Sequence, residues 1–376
     1  MKKDSINIVF IVVLTLIVAG LCLKFLPSFP VTSDTEEYDT VALNLVQGKG
    51  LTLDNEPTKE PLGYPLFLAG IYSLFGHNWQ AVQIIQFILL AGMGMIFYLT
   101  TRKFFNFSLI LALLSSLTFV LWPYFIFYPN LITTEILFIF FLLLSIYFLL
   151  SFLKEPSLKN SLILGVLLGI AALVRPVALL LPFWLVLFLL IFLKSARTKT
   201  YFFKLAVFLV VFTTVFSPWV IRNYIHYHEL FPVYSHVIEK SYIDPDHVPT
   251  SQFLESEKLD LKTLALSRLR NIYLFWNPGA DGLNAEVLRE KFPIIDFLLH
   301  AYRVLFFMVL ALAFWSLKAI RQKKKILFLW IIIFYFWALH TMLFPYPRYT
   351  MPVIPIIIIL AWFSLRNIAY KIGEKT

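Results

Sequence analysis

Long uncharged apolar segments recur along the chain and limit what it can fold into. The segments Ile8–Leu23 and Ile136–Leu153 are two of them, and an α-helix needs about 20 such residues to cross roughly 30 Å of hydrocarbon. Hydrophobic residues make up 60% of the 376 residues and charged residues 14%, whereas a soluble domain is about a quarter charged. The sequence therefore predicts an all-α integral membrane protein.

The apolar segments and the chain breakers between them predict about ten transmembrane helices. These predicted spans lie near residues 7–26, 80–101, 107–126, 131–153, 160–175, 177–193, 203–221, 298–317, 326–343 and 350–366. An even number of spans puts both termini on the same side of the membrane. The whole chain, residues 1–376, is predicted to be a single membrane-embedded domain.

The distribution of charge predicts the orientation. The termini and the loops on their side hold more than half of the 32 basic residues, but only Asp4, Glu155 and Glu374 of the 22 acidic residues. Basic loops stay in the cytoplasm, so we expect a protein of the inner membrane with both termini cytoplasmic. The net charge of +10 is then a topology signal, and no nucleic-acid partner is predicted.

Two long loops, residues 27–79 and 222–297, are predicted to face outward. In the first, apolar residues from Tyr38 to Val46 recur at helical spacing, and Gly63–Phe75 is apolar but too short to span a bilayer. In the second, Phe253–Trp276 has the pattern of an amphipathic helix. The sequence therefore predicts interfacial helices in both outer loops.

An acidic run follows the first predicted span, at Asp34, Glu36, Glu37 and Asp39. Such a run is usually a solvated surface. Beside a cavity that faces the membrane, one of its carboxylates would instead act as a general base or as a metal ligand. The run by itself is compatible with both interpretations.

Three arginines, Arg175, Arg222 and Arg348, lie at the predicted outer ends of spans, against the positive-inside pattern. A charge at that depth is costly without a partner or a polar cavity, and the planar guanidinium suits phosphate and carboxylate. The alternative is that each side chain reaches the lipid headgroups. Glu135 opens the fourth predicted span on the same side; it either belongs to this group or stabilises the helix dipole.

These residues stand in stretches that resemble a known family. The stretches are SDTEEYDTVALNLVQGKG, PLGYPLFLAGIYSLFG, LITTEILF, GIAALVRPVALLLP, SPWVIRNY and PRYTMPVIP. In order and spacing they are similar to the GT-C-fold membrane glycosyltransferases that include protein O-mannosyltransferases, aminoarabinose transferases and rhizobial galacturonosyltransferases. The resemblance runs over nearly the whole chain, and no counterpart of the large outer C-terminal domain of some relatives is expected.

The resemblance implies an enzyme that takes a sugar from a polyprenyl-phosphate donor and passes it, with inversion, to a lipid, glycan or protein acceptor. By this resemblance Asp34 is the general base, and Arg175, Arg222 and Arg348 bind the donor phosphate. The residues expected to shape the site or contact substrate are Glu37, Tyr38, Tyr64, Glu135, Asn223 and Tyr349. Metal use varies in the superfamily, so Mg²⁺ or Mn²⁺ is left open.

Other functions remain open at this point. A lipid or sugar transporter would also carry outer arginines, but the interiors of the spans are almost bare of ionisable residues, and no repeat relates the two halves. No nucleotide-binding phosphate loop is present in the sequence, which disfavours an ATP-driven pump. A polymer ligase or a non-catalytic assembly factor on the same fold is a further alternative.

Overall fold

The computed structural model describes residues 2–26, 33–193, 198–228, 230, 261–278, 294–342 and 346–373. Nearly all of this part is helical. The α-helices, in chain order, are α1 Lys2–Phe25, α2 Ser33–Val46, α3 Gly63–Phe75, α4 Trp79–Phe105, α5 Leu109–Val120, α6 Pro123–Phe127, α7 Glu135–Lys154, α8 Leu158–Val174, α9 Leu181–Phe192, α10 Lys199–Tyr227, α11 Leu261–Trp276, α12 Ile295–Trp315, α13 Lys324–Met342 and α14 Ile354–Gly373.

The described helices include six that are long and apolar enough to cross a membrane by themselves. They are Lys3–Phe25, Trp79–Phe105, Glu135–Lys154, Lys199–Tyr227, Asp296–Ala319 and Lys324–Met342. Shorter apolar helices occupy three further predicted spans, at Leu158–Val174, Pro176–Phe192 and Ile354–Tyr370. The protein is therefore a multi-pass membrane protein, and its full number of ten spans remains a prediction.

The third predicted span, residues 107–126, is not one straight helix. Helix α5 ends at Val120, and the segment Pro123–Asn130 continues at an angle of 64° to it. Trp122 has an extended backbone (φ −64°, ψ 135°), because a residue that precedes proline is pushed out of the helical region. The fourth predicted span likewise begins at Glu135 rather than at residue 131.

The first loop predicted to face outward, residues 27–79, is compact over residues 33–79, the part that the structure describes. A short antiparallel hairpin pairs Thr52–Leu53 with Glu56–Pro57, and Asp54 and Asn55 form its turn with positive φ angles of 51° and 66°, as a two-residue hairpin loop requires. Helix α3 packs against α2, α4 and α8, and its side chains Tyr64, Leu68 and Tyr72 are buried. The two helices predicted for this loop are therefore present, while their place at the membrane interface stays a prediction.

Helix α11 belongs to the second loop predicted to face outward, and it packs on the end of α13. Arg268 and Asn271 donate hydrogen bonds to the carbonyl of Thr341 at 3.4 and 3.0 Å, and Phe275 is fully buried. The helix predicted for residues 253–276 is present from Leu261 onwards. Residues 253–260 lie outside the described residues.

Basic side chains close the C-terminal end of α4, where helical carbonyls lack partners within the helix. Lys325 donates to the carbonyl of Phe104, and Arg366 donates to that of Phe105 at 2.5 Å. Cations are favourable at a helix C-terminus because they face the negative end of its dipole. Helices α13 and α14 are thereby joined to α4.

Helices α8 and α10 come into close contact through a Gly-xxx-Gly stretch, a common device between membrane helices. A Cβ atom on Gly165 would lie 2.8 Å from the carbonyl oxygen of Phe208, and one on Gly169 would lie 2.7 Å from the Val215 side chain. Any larger residue must therefore move α10.

We predict that Gly165→Ala lowers the midpoint of thermal unfolding in detergent, because overpacking costs about 1–3 kcal/mol. Gly70→Ala is the matched control, since a Cβ atom there meets nothing within 4 Å and alanine favours the helix. Equal midpoints for the two variants would contradict the close approach of α8 and α10.

Candidate functional site

The carboxylate of Glu135 lies between two arginines. Nη1 of Arg175 donates to Oε1 of Glu135 at 2.7 Å and lies 3.3 Å from the hydroxyl of Thr134. Nε of Arg348 lies 3.9 Å from the same carboxylate oxygen. The side chain of Glu135 is only 5% exposed, so this is a buried carboxylate shared by two cations.

Each of the three residues sits at an interruption of a helix. Glu135 is the first residue of α7, where a negative charge faces the positive end of the helix dipole. Arg175 follows the last residue of α8 and is extended (φ −141°, ψ 114°), as expected of a residue before proline. Arg348 lies in the 3₁₀ turn Pro347–Thr350 that precedes α14.

The ring of Tyr349 lies close to both guanidinium groups. Its centroid is 5.3 Å from Cζ of Arg175 and 5.7 Å from Cζ of Arg348, within the range of cation–π attraction. Tyr349 also contacts His340, whose ring stacks on it with centroids 4.4 Å apart. Phe275 in turn stacks on His340 with centroids 6.0 Å apart. An aromatic stack thus leads from α11 to the arginines.

The two arginines remain cationic. Arginine stays protonated in proteins, and the guanidinium of Arg175 has the carboxylate of Glu135 beside it. Burial opposes the charge of Arg348, but Glu135 and then other neighbours, including Asp34, outweigh it, so the pKa of Arg348 is raised. Both guanidinium groups therefore keep their charge in this cluster.

Asp34 is the accessible carboxylate of this group. Its Oδ2 lies 3.5 Å from Nη2 of Arg348, and its side chain is 53% exposed, against 20% for Arg348. The next residue, Thr35, donates to the carbonyl of Ile132 at 3.2 Å, which holds the start of α2 beside the segment that leads into α7. Asp34 can thus meet a reactant from outside while an arginine stands beside it.

Two buried polar atoms of the cluster have no hydrogen-bond partner among the described residues. They are Nε of Arg348 and Oε2 of Glu135. Nε of Arg348 lies 3.9 Å from Oε1 of Glu135, beyond hydrogen-bond distance. Arg348 is therefore held less tightly by Glu135 than Arg175 is.

Tyr38, four residues after Asp34 on α2, packs against Tyr64 of α3. Their rings meet edge to face at 5.4 Å, and the hydroxyl of Tyr64 donates to Gln86 at 3.2 Å. Burial raises the pKa of Tyr38, and the carboxylates of Glu60 and Asp34 raise it further. Glu60 therefore acts electrostatically on this hydroxyl, although the sequence did not single it out; its position just before the Pro-Leu-Gly-Tyr-Pro stretch was the available signal.

Gly63 allows α3 to approach the site. A Cβ atom on Gly63 would lie 2.6 Å from the backbone nitrogen of Val174 and 2.7 Å from the carbonyl carbon of Leu173. Val174 directly precedes Arg175, so glycine is required where α3 begins against the end of α8. The Gly-Tyr-Pro stretch therefore helps to hold Arg175 in place.

Arg222 and Asn223 have a different environment. Both lie inside α10, which continues to Tyr227, five residues beyond Arg222. The guanidinium of Arg222 donates to the carbonyls of Thr58 at 2.7 Å and Leu51 at 3.1 Å, and to Oδ1 of Asn223 at 3.0 Å. Arg222 thus binds the ends of the hairpin in the first outer loop.

The structure therefore brings together Asp34, Glu135, Arg175, Arg348 and Tyr349, with Tyr38 and Tyr64 next to them. No contact among the described residues joins Arg222 to Glu135 or to the other two arginines. Glu37 lies on α2 and is partly exposed. Within the described residues no group of three or more His, Cys, Asp or Glu side chains is arranged to hold a metal ion.

Comparison with known proteins identifies the fold. Residues 59–221 match the profile of the family described as dolichyl-phosphate-mannose-protein mannosyltransferase. Two crystal structures of ArnT from Cupriavidus metallidurans, one bound to undecaprenyl phosphate and one in the apo state, superimpose with TM-scores of 0.64 and 0.65 at 16% identity, covering 96% and 98% of this chain. The Archaeoglobus fulgidus oligosaccharyltransferase, in complex with Zn and sulfate, gives 0.62 at 12% identity over 96% of this chain.

At these identities the likeness establishes the fold. The resemblance seen in the sequence is confirmed: the protein has the GT-C fold of membrane glycosyltransferases. The chain spans 60% and 61% of the two ArnT chains and 49% of the oligosaccharyltransferase. No curated protein sequence matches it.

We predict that Glu135→Gln destabilises the protein by about 3–5 kcal/mol, the usual effect of removing one partner of a buried ion pair. Two guanidinium groups would lose their shared carboxylate. Glu155→Gln is the control, because Glu155 is exposed at the end of α7. Denaturant unfolding in detergent measures both; if Glu135→Gln unfolds like the control, Glu135 does not hold the arginines.

Proposed function

We propose that the protein is a membrane glycosyltransferase that transfers a sugar from a polyprenyl-phosphate-linked donor to a lipid, glycan or protein acceptor. The observation that carries this proposal is the half-exposed carboxylate of Asp34 beside Arg348, backed by the buried pair of Glu135 and Arg175. Transfer of a sugar from a sugar phosphate requires a carboxylate to act as base and fixed cations to stabilise the phosphate, and both must lie at the same site.

The donor's leaving group accounts for the arginines. The polyprenyl phosphate leaves the anomeric carbon as a phosphate anion, so it needs cations to stabilise the developing charge and no general acid to protonate it. Among the described residues Arg348 makes only the longer ion-pair contacts: its Nη2 lies 3.5 Å from Oδ2 of Asp34 and its Nε lies 3.9 Å from Oε1 of Glu135. Its guanidinium is therefore available to bind the phosphate. Arg175 is bound closely to Glu135, so it would stabilise the phosphate charge without a direct contact.

Asp34 would be the base. The acceptor's oxygen or nitrogen attacks the anomeric carbon from the face opposite the phosphate, and the carbon–phosphate-oxygen bond breaks as the new bond forms. The acceptor's proton passes to Asp34. A single displacement of this kind inverts the anomeric centre.

The comparisons support the class of donor. ArnT, whose fold this chain shares, binds undecaprenyl phosphate in one of the two structures, and the matched family profile is described by a dolichyl-phosphate-linked sugar. In our proposal both termini are cytoplasmic, the protein lies in the inner membrane, and the site faces outward. The second outer loop, residues 222–297, would then contribute to the choice of acceptor within the single domain of residues 1–376.

We predict that Asp34→Asn abolishes sugar transfer while the protein stays inserted and folded. The amide keeps the shape of the side chain but cannot take a proton at neutral pH. Asp54→Asn is the control, since Asp54 is an exposed residue of the hairpin turn. Transfer of radiolabelled sugar from a polyprenyl-phosphate donor in reconstituted vesicles is the measurement, and a wild-type rate for Asp34→Asn would refute its role as base.

We predict that Arg348→Lys weakens donor binding roughly tenfold or more, because a charge-assisted hydrogen bond is worth about 1.5–3 kcal/mol and an ammonium loses the planar fork. Arg222→Lys should have a smaller effect, acting through the hairpin that Arg222 holds. Arg321→Lys, at an exposed turn before α13, is the control. Unchanged affinity in Arg348→Lys, measured by equilibrium binding of a labelled donor, would remove this residue from the phosphate site.

A further inference from the structure

A second cluster of polar side chains surrounds Asp39, at the other end of the acidic run. Asp39 is buried, at 8% relative exposure. Its carboxylate accepts from the hydroxyl of Tyr72 at 2.5 Å and from the indole nitrogen of Trp79 at 2.9 Å, and Nε2 of His77 lies 2.9 and 3.0 Å from its two oxygens. Asp39 is thus not part of a solvated acidic surface.

The three neighbours all donate to this carboxylate. A carboxylate only accepts, so the hydrogen of the His77 ring must lie on Nε2. That nitrogen then cannot accept from Trp79, which lies 3.1 Å away, and the indole N–H is left to Asp39. Burial and the hydrogen bond to Asp39 raise the pKa of Tyr72, so its hydroxyl keeps its proton and remains a donor.

The donors belong to the junction between α3 and α4. Tyr72 lies in the last turn of α3, His77 follows Gly76, whose φ of 69° turns the chain, and Trp79 begins α4. Asp39 lies in α2, five residues after Asp34, which is about one and a half helical turns. The bonds to Asp39 therefore tie α2 to the α3–α4 junction and fix its rotation.

We propose that Asp39 is a positioning residue whose bonds to Tyr72, His77 and Trp79 hold α2 so that Asp34 stays beside Arg348. The role in transfer rests on the function proposed above; the anchoring of α2 does not. Val41 and Ala42 of α2 are fully buried, so apolar packing keeps the helix in place without Asp39. Loss of Asp39 therefore releases the orientation of Asp34 more than it unfolds the protein.

Hydrogen exchange of the α2 amides, residues 33–46, tests the anchor in the full-length protein in lipid nanodiscs. Asp39→Asn removes the charge from a site with three donors, and Tyr72→Phe removes one donor while keeping the ring. Glu36→Gln is the matched control, an exposed acid on the same helix. We expect exchange in α2 to rise about tenfold or more in Asp39→Asn and to stay at the wild-type rate in Glu36→Gln.

Turnover tests the positioning. We expect Asp39→Asn to lower the transfer rate per donor-binding site at least tenfold, with the donor KM unchanged, because Asp34 is displaced and the arginines are not. Counting active molecules by donor binding separates this effect from a loss of folded protein. Exchange equal to that of Glu36→Gln overturns the anchor, and faster exchange with unchanged turnover overturns the positioning role.

The two proposals fail in different ways. A wild-type protein without any transfer activity contradicts the proposed function, whereas the exchange measurement still decides whether Asp39 holds α2. Transfer by the wild type together with full activity in Asp39→Asn contradicts only the inference about Asp39.

Discussion

The sharing of one buried carboxylate by two arginines is the interaction on which this face of the protein depends. Oε1 of Glu135 contacts both Arg175 and Arg348, and these residues come from three separate interruptions of the helical bundle. A buried guanidinium without a partner is costly, so the pairing requires the start of α7, the end of α8 and the turn before α14 to meet at one point.

Prolines lie at two of these three interruptions. Pro176 follows Arg175 at the end of α8, and Pro347 opens the turn that carries Arg348. A continuous helix pairs its own backbone N–H and C=O groups, whereas an interruption leaves some of these groups without a helical partner. Inside a membrane protein such groups need other hydrogen-bond partners. Polar chemistry is therefore concentrated where the helices stop.

Much of the fold and part of the candidate site could be predicted from the sequence, because a membrane-spanning helix requires a long run of apolar residues. The multi-pass architecture and the candidates Glu135, Arg175 and Arg348 follow from the ends of such runs. The hydrogen-bond partners of these residues could not be predicted. Nothing in the spacing of residues shows that Arg222 binds carbonyls of the first loop. Nor does it show that Asp39 is buried while Asp34 is exposed. These contacts depend on how α2 and α10 are rotated about their own axes. The sequence pattern does not determine that rotation, because α2 is short and α10 is apolar over most of its length.

The basic residues that close α4 have a consequence for how the protein is made. Lys325 and Arg366 are among the charges from which the sequence predicts orientation, and in the folded protein they donate to carbonyls of Phe104 and Phe105. In the predicted orientation, a charge that directs insertion of the nascent segment is thus also a structural hydrogen-bond donor. A neutral residue at either position would then disturb membrane insertion and the mature fold together, so a loss of protein after such a change would not by itself reveal which of the two had failed.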